Sequence, residues 1–206
     1  MKKIVVTGGN GFIGSNLVNF LLKKKYYVIN IDKNKYSNGS YLLKRNKVRN
    51  YKFFKLDINN KKFIKILTYY KPEAIFNLAA ETHVDRSIDG PESFIKSNIL
   101  GAFKLLQAFR KFVERNKNSL LIQISTDEVY GDVLNGRSKE EDAYKPSSPY
   151  AASKASSDHL VQAYVRTYKI NALISNCCNF NWNVVDYYYF FSFLYCNRFK
   201  WISIIF

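Results

Sequence analysis

Short apolar runs alternate with amphipathic stretches through most of the chain. The apolar runs predict five buried strands, at residues 4–6, 27–31, 51–58, 73–80 and 119–125. Apolar positions recurring about every 3.6 residues predict helices at residues 12–25, 61–70, 91–116 and 151–168. Alternation of strands and helices predicts an α/β fold, a Rossmann-like doubly wound parallel sheet with ligands at the carboxyl ends of its strands.

A glycine-rich turn joins the first predicted strand to the first predicted helix. Its glycines fit G-x-G-x-x-G in one register and G-x-x-G-x-x-G in another, and they are Gly8, Gly9, Gly11 and Gly14. Such a turn lets a pyrophosphate approach bare backbone at a helix N-terminus. An acid, Asp32, ends the next apolar run about 20 residues on, as a dinucleotide-binding unit requires. We therefore predict a phosphate-binding loop, with a purely structural turn as the alternative.

Asp32 also indicates which dinucleotide would bind. A carboxylate at that place accepts hydrogen bonds from the ribose hydroxyls and repels a 2′-phosphate, so NAD is favoured over NADP. Alternatively, Asp32 is simply an acid in a solvated turn. After the third predicted strand, Asp57 and Ile58 could hold the adenine ring with one polar and one apolar side chain.

Candidate chemistry follows the fifth predicted strand, where Thr126 precedes Asp127 and Glu128. Carboxylates near a core are costly unless they are paired or functional. Two acids in different environments can divide into a proton donor and a proton acceptor. The alternative is that the pair caps a loop. The segment 81–87 after the fourth strand is also polar, and an ordinary solvated loop with an internal Asp-Arg pair would explain it equally.

Tyr150 and Lys154 are separated by four residues at the start of the last predicted helix, so they share one helix face. An ammonium group close to a phenol favours the phenolate, and we expect a lowered pKa for Tyr150. A tyrosine with such a pKa is a usable base at neutral pH.

The composition of the chain suggests no function beyond those already described. The formal charge is +16, but 24 of 32 basic residues are lysines spread along the chain, and 21 asparagines indicate a general compositional bias. We therefore expect no nucleic-acid partner, with a polyanion-binding surface as the alternative. Three cysteines and two histidines show no spacing typical of a disulfide framework or a metal site. The first residues lack a signal-peptide core, which predicts a cytoplasmic protein.

Together these motifs resemble the extended short-chain dehydrogenase/reductase superfamily and, within it, the dTDP-glucose 4,6-dehydratase family. The resemblance covers about residues 1–179 and is carried by residues 7–15, 78–88, 125–131, 150–158 and 176–179. Many epimerases and decarboxylases of the superfamily share the glycine turn and the Tyr/Lys pair. The Thr-Asp-Glu sequence at 126–128 separates the dehydratases from most of them.

The resemblance implies an NAD-dependent lyase that oxidises carbon 4 of dTDP-glucose, eliminates water and re-reduces the product to dTDP-4-keto-6-deoxyglucose. Tyr150, held by Lys154, would take the 4-hydroxyl proton, with Thr126 bonded to the same oxygen. Glu128 would remove the carbon 5 proton, and Asp127 would protonate the departing 6-hydroxyl. Intact members would form homodimers, and no metal is implied.

The same resemblance assigns the binding residues. The side chains and backbone expected at the cofactor are those of Gly8, Gly11, Phe12, Ile13, Gly14, Asp32, Lys33, Asn34, Lys35, Asp57, Ile58, Leu78, Ala79, Ala80, Glu81, Ser97, Tyr150 and Lys154. Those expected at the substrate are Thr82, Thr126 and Asn179. The family usually has serine in place of Thr82 and threonine in place of Ser97, and each change keeps a hydroxyl group.

After Asn179 the resemblance ends. We expect residues 1–179 to form the NAD-binding domain and residues 180–206 to form an atypical aromatic tail where the family has its sugar-nucleotide domain. The tail's apolar run of about ten residues is too short for a bilayer span, which leaves interface-seeking aromatics or a dimer contact as alternatives to a frameshifted or truncated product. With its substrate domain largely missing, the chain is expected to bind NAD weakly and to be inactive or nearly so. Other functions left open are another nucleotide-sugar dehydratase, epimerase or decarboxylase, or a non-catalytic NAD-binding module.

Overall fold

The structure is a computed structural model that describes residues 1–34, 48–133, 136, 138–177 and 204–205. Its strands are β1 (Lys3–Thr7), β2 (Tyr27–Asp32), β3 (Tyr51–Lys55), β4 (Ala74–Asn77), β5 (Leu120–Thr126), β6 (Ala172–Cys177) and β7 (Ile204–Ile205). Its α-helices are α1 (Phe12–Lys23), α2 (Lys62–Tyr70), α3 (Val84–Asp89), α4 (Glu92–Phe94), α5 (Gly101–Val113) and α6 (Pro149–Tyr168). A π-helix (Ile95–Leu100) joins α4 to α5, and a 3₁₀ helix (Asp127–Tyr130) follows β5.

All strands of the sheet are parallel, in the order β3-β2-β1-β4-β5-β6-β7. The predicted doubly wound sheet is therefore confirmed. The order reverses between β1 and β4, and in such sheets the crevice beyond the carboxyl ends at the reversal is where ligands bind.

The core lies on both faces of the sheet because successive strand residues point in opposite directions. Val5 joins the cluster formed with α2, α5 and α6, whereas Ile4 and Val6 join the cluster formed with α1. Burial of each large apolar side chain stabilises the fold by roughly 1.5–3 kcal/mol. The two clusters fix the sheet between helices and leave its carboxyl edge to carry polar groups.

A row of buried polar side chains crosses three adjacent strands. Thr7 donates a 2.6 Å hydrogen bond to Asn77, whose amide donates at 2.7 Å to Gln123. Because each group has a partner, burial of these polar side chains carries little penalty. The row ties the carboxyl halves of β1, β4 and β5 together next to the crevice.

Several element boundaries differ from the sequence predictions. The third strand ends at Lys55, before Asp57, and the long helix predicted over 91–116 is divided by the π-helix. The polar segment 81–87 is not only a loop, since α3 begins at Val84. Ser87 is buried and donates to the carbonyl of Val84 at 2.6 Å, which stabilises this short helix. Strand β6 was not predicted, because its serine, asparagine and cysteine weaken the apolar signal.

The far edge of β6 is paired. Ile204 and Ile205 lie beside Ser175 and Asn176 as a parallel two-residue strand. Strand β6 is therefore not the last strand of the sheet. Residues 180–203 and 206, which make up the rest of the expected tail, lie outside the described residues. In the described part of the chain, every helix is too short or too polar to cross a bilayer.

Candidate active site

The glycine turn after β1 is closely packed. Gly8 has φ of 70°, and a Cβ there would lie 2.7 Å from the carbonyl carbon of Leu78. A Cβ on Gly14 would lie inside contact distance of the Gly8 carbonyl oxygen. Helix α1 then begins without a side-chain cap on its first N–H groups. Bare backbone and uncapped N–H groups fit a pyrophosphate.

Asp32 ends β2 beside this turn and is oriented by backbone N–H groups. The amide of Asn10 donates to one carboxylate oxygen at 2.9 Å, and the amide of Asn34 donates to the other at 2.7 Å. The Asn10 side chain also donates to Asn34 at 2.9 Å. A carboxylate fixed at this position fits recognition of ribose hydroxyls.

Lys33 and Glu81 form an ion pair across the crevice, with 3.0 Å between the ammonium nitrogen and a carboxylate oxygen. Glu81 is buried, and Asn98 holds its backbone on both sides. The Glu81 N–H donates to the Asn98 side chain at 2.9 Å, and the Asn98 amide donates to the Glu81 carbonyl at 3.0 Å. Sequence reasoning selected Ser97 and missed Asn98, although an amide on the apolar face of a predicted helix was a usable signal.

The remaining residues expected at the cofactor differ in their burial and position. Ile58 is buried beneath Gly101, whereas Asp57 is exposed and accepts from the Asn59 amide at 2.8 Å. Leu78, Ala79, Ala80 and Ile13 are half-buried near the turn and the end of β4, Ser97 is half-buried in the π-helix, and Phe12 is exposed. Thr82, expected at the substrate, is also exposed. Lys35 and Asn179 lie outside the described residues.

The 3₁₀ helix after β5 carries the two adjacent acids. Thr126 caps it by accepting from the Glu128 N–H at 3.3 Å, and the Thr126 hydroxyl donates to Asp127 at 3.3 Å. Burial, followed by the neighbouring Asp127 carboxylate, raises the pKa of Glu128. The two acids are thus half-buried together, where a proton on Glu128 is retained to higher pH than on a solvated glutamate.

Tyr150 lies at the start of α6 and faces this acid pair. Its phenol lies close to the Thr126 side chain and interacts electrostatically with Glu128 and Asp127. Burial of the phenol, and then the Glu128 charge, raise the Tyr150 pKa well above its ordinary value. The expectation of a lowered Tyr150 pKa is therefore wrong for this structure, since burial and two carboxylates act against the phenolate.

Lys154 is fully buried one turn after Tyr150. Its ammonium donates to the Ile124 carbonyl at 2.5 Å, and its electrostatic partners are Asp158 and Cys177. Burial lowers the pKa of Lys154 despite those partners. The ammonium group is thus anchored to the end of β5, which joins the strand carrying Thr126 to the helix carrying Tyr150.

A buried polar cluster behind these residues was not predicted. Asp158 accepts hydrogen bonds from Ser125 at 2.5 Å and from Tyr144 at 3.3 Å, and Asn176 donates to Tyr144 at 3.4 Å. The second carboxylate oxygen of Asp158 has no partner among the described residues. Burial raises the pKa of Asp158 to about 6, and Lys154 opposes that rise.

The Asp158 carboxyl should make stability depend on pH. Its folded-state pKa of about 6 exceeds its ordinary value of 3.8, so the folded chain binds this proton more tightly than the unfolded chain. Stability from this group is present below pH 3.8 and is lost as pH rises through 6, by about 3 kcal/mol in total. In Asp158→Asn this loss should disappear from the free energy of unfolding measured by denaturant between pH 4 and 7. Asp142→Asn, in an exposed loop, should keep the parent's pH dependence, and an unchanged slope in Asp158→Asn would contradict the prediction.

Comparisons with known proteins agree with this architecture. A family model described as GDP-mannose 4,6 dehydratase matches residues 5–185. The dTDP-glucose 4,6-dehydratase of Salmonella typhimurium is 43% identical over 86% of this chain and 54% of its own length. The chain therefore spans about half the length of the curated relatives it matches.

Solved structures show the same fold. The dTDP-glucose 4,6-dehydratase of Streptomyces venezuelae, crystallised with NAD bound, has a TM-score of 0.78 at 38% identity, covering 86% of this chain and 56% of that one. The UDP-glucose 4-epimerase of Thermus thermophilus, in complex with NAD, has a TM-score of 0.74 at 30% identity, covering 85% of this chain and 54% of that one. Both proteins contain NAD.

Proposed function

The chain belongs to the GDP-mannose 4,6 dehydratase family, and from that premise we propose that it carries the NAD-binding and catalytic residues of a dTDP-glucose 4,6-dehydratase. The observation that supports this function most strongly is the position of Tyr150. Its phenol lies beside Thr126 and within electrostatic reach of Glu128 and Asp127. A base and two acids around one cleft are the groups that oxidation at one carbon and elimination at its neighbours require.

The proposed substrate is dTDP-glucose. Relatives 43–44% identical to this chain, from Salmonella typhimurium and Escherichia coli, are named dTDP-glucose 4,6-dehydratases. The acid pair at 127 and 128 favours a dehydratase over the 4-epimerases that share the fold.

The proposed cofactor is NAD, which when bound would accept and later return the two electrons of the reaction. The Gly8–Gly14 turn and the uncapped start of α1 would hold its pyrophosphate, and Asp32 would hold its adenosine ribose. The half-buried alanines at the end of β4, Ala79 and Ala80, leave backbone close to the same crevice.

Tyr150 would take the proton of the sugar's 4-hydroxyl, and the Thr126 hydroxyl would bond to the same oxygen. The raised Tyr150 pKa keeps the phenol protonated at neutral pH in the free chain. A positive charge brought close to the phenol would oppose burial and the Glu128 carboxylate, and so favour the phenolate. Lys154 would contribute by fixing α6 against β5 through the Ile124 carbonyl.

Glu128 and Asp127 would divide the elimination between them. The family resemblance gives Glu128 the carbon 5 proton and Asp127 the departing oxygen. The raised pKa of Glu128 makes it a stronger base once it is ionised, but it also increases the fraction that carries a proton. In a pair of acids the group with the raised pKa is often the proton donor, so the two roles need a direct test.

Hydrogen exchange at carbon 5 distinguishes the two roles. The chain, NAD and dTDP-glucose are mixed in equal amounts in D₂O, and the product is analysed by mass spectrometry and NMR. Glu128→Gln should lose both deuterium uptake at carbon 5 and water elimination by about 10²-fold or more. Asp127→Asn should retain deuterium uptake but lose elimination by a similar factor.

Glu141→Gln, an exposed carboxylate, is the matched control and should behave like the parent. If the two active-site variants exchange their behaviours, the assignment of base and acid is reversed. If both variants form product at the parent rate, the acids are not catalytic and another nucleotide-sugar reaction is favoured. NAD binding without any turnover in the parent would favour a non-catalytic NAD-binding module.

Turnover by this chain is proposed to be slow, because distant contacts with the nucleotide half of a substrate normally support chemistry at the reacting carbon.

A homodimer is part of the proposal. Ile88, Ile95 and Leu100 are exposed apolar residues, and the last two are five residues apart in the π-helix, which places them on one face. Sedimentation of the purified chain measures its oligomeric state. The cytoplasmic location, the lack of a nucleic-acid partner and the domain boundary at 179 stay predictions.

A further inference from the structure

A lysine lies directly after the carboxylate that ends β2. Asp32 is fixed by the amides of Asn10 and Asn34, so the carboxylate cannot turn freely toward its neighbour. The Lys33 side chain is about one-third exposed, and it follows Asp32 directly in the chain. An ammonium group at that position would attract a phosphate monoester, including a 2′-phosphate on an adenosine ribose.

Glu81 holds this ammonium on the opposite side. The distance from Lys33 Nζ to Glu81 Oε1 is 3.0 Å, and only 7% of the Glu81 side chain is exposed. An ion pair with one buried partner is screened by solvent less than a fully exposed pair. The bond therefore fixes the direction of the Lys33 side chain.

Asn98 makes the Glu81 backbone rigid. Its side-chain oxygen accepts from the Glu81 N–H, and its amide nitrogen donates to the Glu81 carbonyl and, at 2.8 Å, to Ser153. The last bond connects this loop to α6. Glu81 is thus a carboxylate held in one place at the end of β4.

We propose that Glu81 is a residue that determines cofactor specificity: by binding Lys33 it keeps the ammonium group from accepting the 2′-phosphate of NADP, and so it supports the preference for NAD set by Asp32. The inference rests on the proposed NAD binding. The group of three charges, Asp32, Lys33 and Glu81, has one excess negative charge, which repels a phosphate dianion. A neutral side chain at 81 would both remove that excess and release Lys33.

The test is the ratio of the dissociation constants for NADP and NAD, measured by isothermal titration calorimetry. In Glu81→Gln, whose shape matches the parent, the preference for NAD should fall by about tenfold. In the double variant Lys33→Met/Glu81→Gln the preference should return to within about twofold of the parent. The gain for NADP in Glu81→Gln should also diminish at high salt, because it depends on the charge of Lys33.

Glu73→Gln is the control. Glu73 forms a 3.2 Å ion pair with Lys2 at the opposite end of β4, so this variant changes the net charge equally but far from the crevice. A fall in preference of the same size in Glu73→Gln, or in the double variant, would overturn the inference. So would an unchanged ratio in Glu81→Gln while the parent binds NAD.

A second variant covers the case in which Glu81→Gln does not fold. Lys33→Met leaves two uncompensated carboxylates beside the ribose position, so the preference for NAD should rise by about threefold or more. An unchanged preference in that variant would also overturn the inference. A parent chain that binds neither dinucleotide would refute the proposed function itself, and this inference with it.

Discussion

Replacement of Gly14 by alanine is expected to lower the free energy of unfolding by about 3 kcal/mol or more. The added Cβ would overlap the Gly8 carbonyl oxygen and would lie 2.8 Å from the Gly9 Cα. All these atoms belong to the backbone of one turn, so no side chain can rotate to make room. Relief would require the turn to separate from α1, which would also open the proposed phosphate site. Urea denaturation of parent and variant measures the change.

Gly90→Ala is the control for this prediction. Gly90 follows α3 with φ of −150°, and the nearest atom to an added Cβ is 3.9 Å away. Its free energy of unfolding should change by less than about 1 kcal/mol. A Gly14→Ala chain as stable as Gly90→Ala would show that the turn is looser than the structure describes.

The glycine turn could be predicted from the sequence because its determinants are local. Strand, turn and helix follow one another within residues 3–23, and only Asp32 must be added from the next strand. The acids at 127 and 128 could be predicted equally well, because they directly follow an apolar strand. In a parallel sheet such strand ends meet at one edge, so the position of the site follows from the fold.

The supporting residues could not be predicted in the same way. Asn98 and Asp158 act through partners 17 and 33 residues distant in the chain, and their roles depend on burial between helices. The strand β6 was missed for a related reason. Its last four residues are buried although Ser175 and Asn176 are polar, so periodicity alone gives no clear signal.

The pKa of Tyr150 shows the limit of reasoning from spacing. The i, i+4 relation to Lys154 is present on α6, but the ammonium of Lys154 is bonded to the Ile124 carbonyl. The pKa of the phenol is raised most by burial and next by Glu128, which lies on the 3₁₀ helix and not on α6. Sequence spacing indicates which groups share a face, whereas the direction of a pKa shift depends on the groups opposite.

The proposed function predicts that Tyr150→Phe lowers the single-turnover rate of dTDP-glucose dehydration by about 10³-fold. The variant keeps the aromatic ring that packs edge-to-face against Phe94, with 6.3 Å between ring centroids, and removes only the phenol oxygen beside Thr126. Stability should therefore change by only about 1 kcal/mol. Rapid-quench measurement of water loss from the sugar, with the chain in excess, gives the rate.

A second measurement tests the same phenol without turnover. The tyrosinate absorption of the parent minus that of Tyr150→Phe reports ionisation of Tyr150 alone, and in the free chain it should begin only above the pH at which an ordinary tyrosine ionises, because the pKa is raised. Oxidised NAD, which carries a positively charged nicotinamide ring, should lower the pH at which this absorption appears, whereas NADH should not. Tyr168→Phe, near the end of the same helix, should match the parent in rate and in the change of tyrosinate absorption that NAD causes. A Tyr150→Phe chain with the parent's rate would exclude the phenol as the base, because no other change in the site accompanies loss of that oxygen.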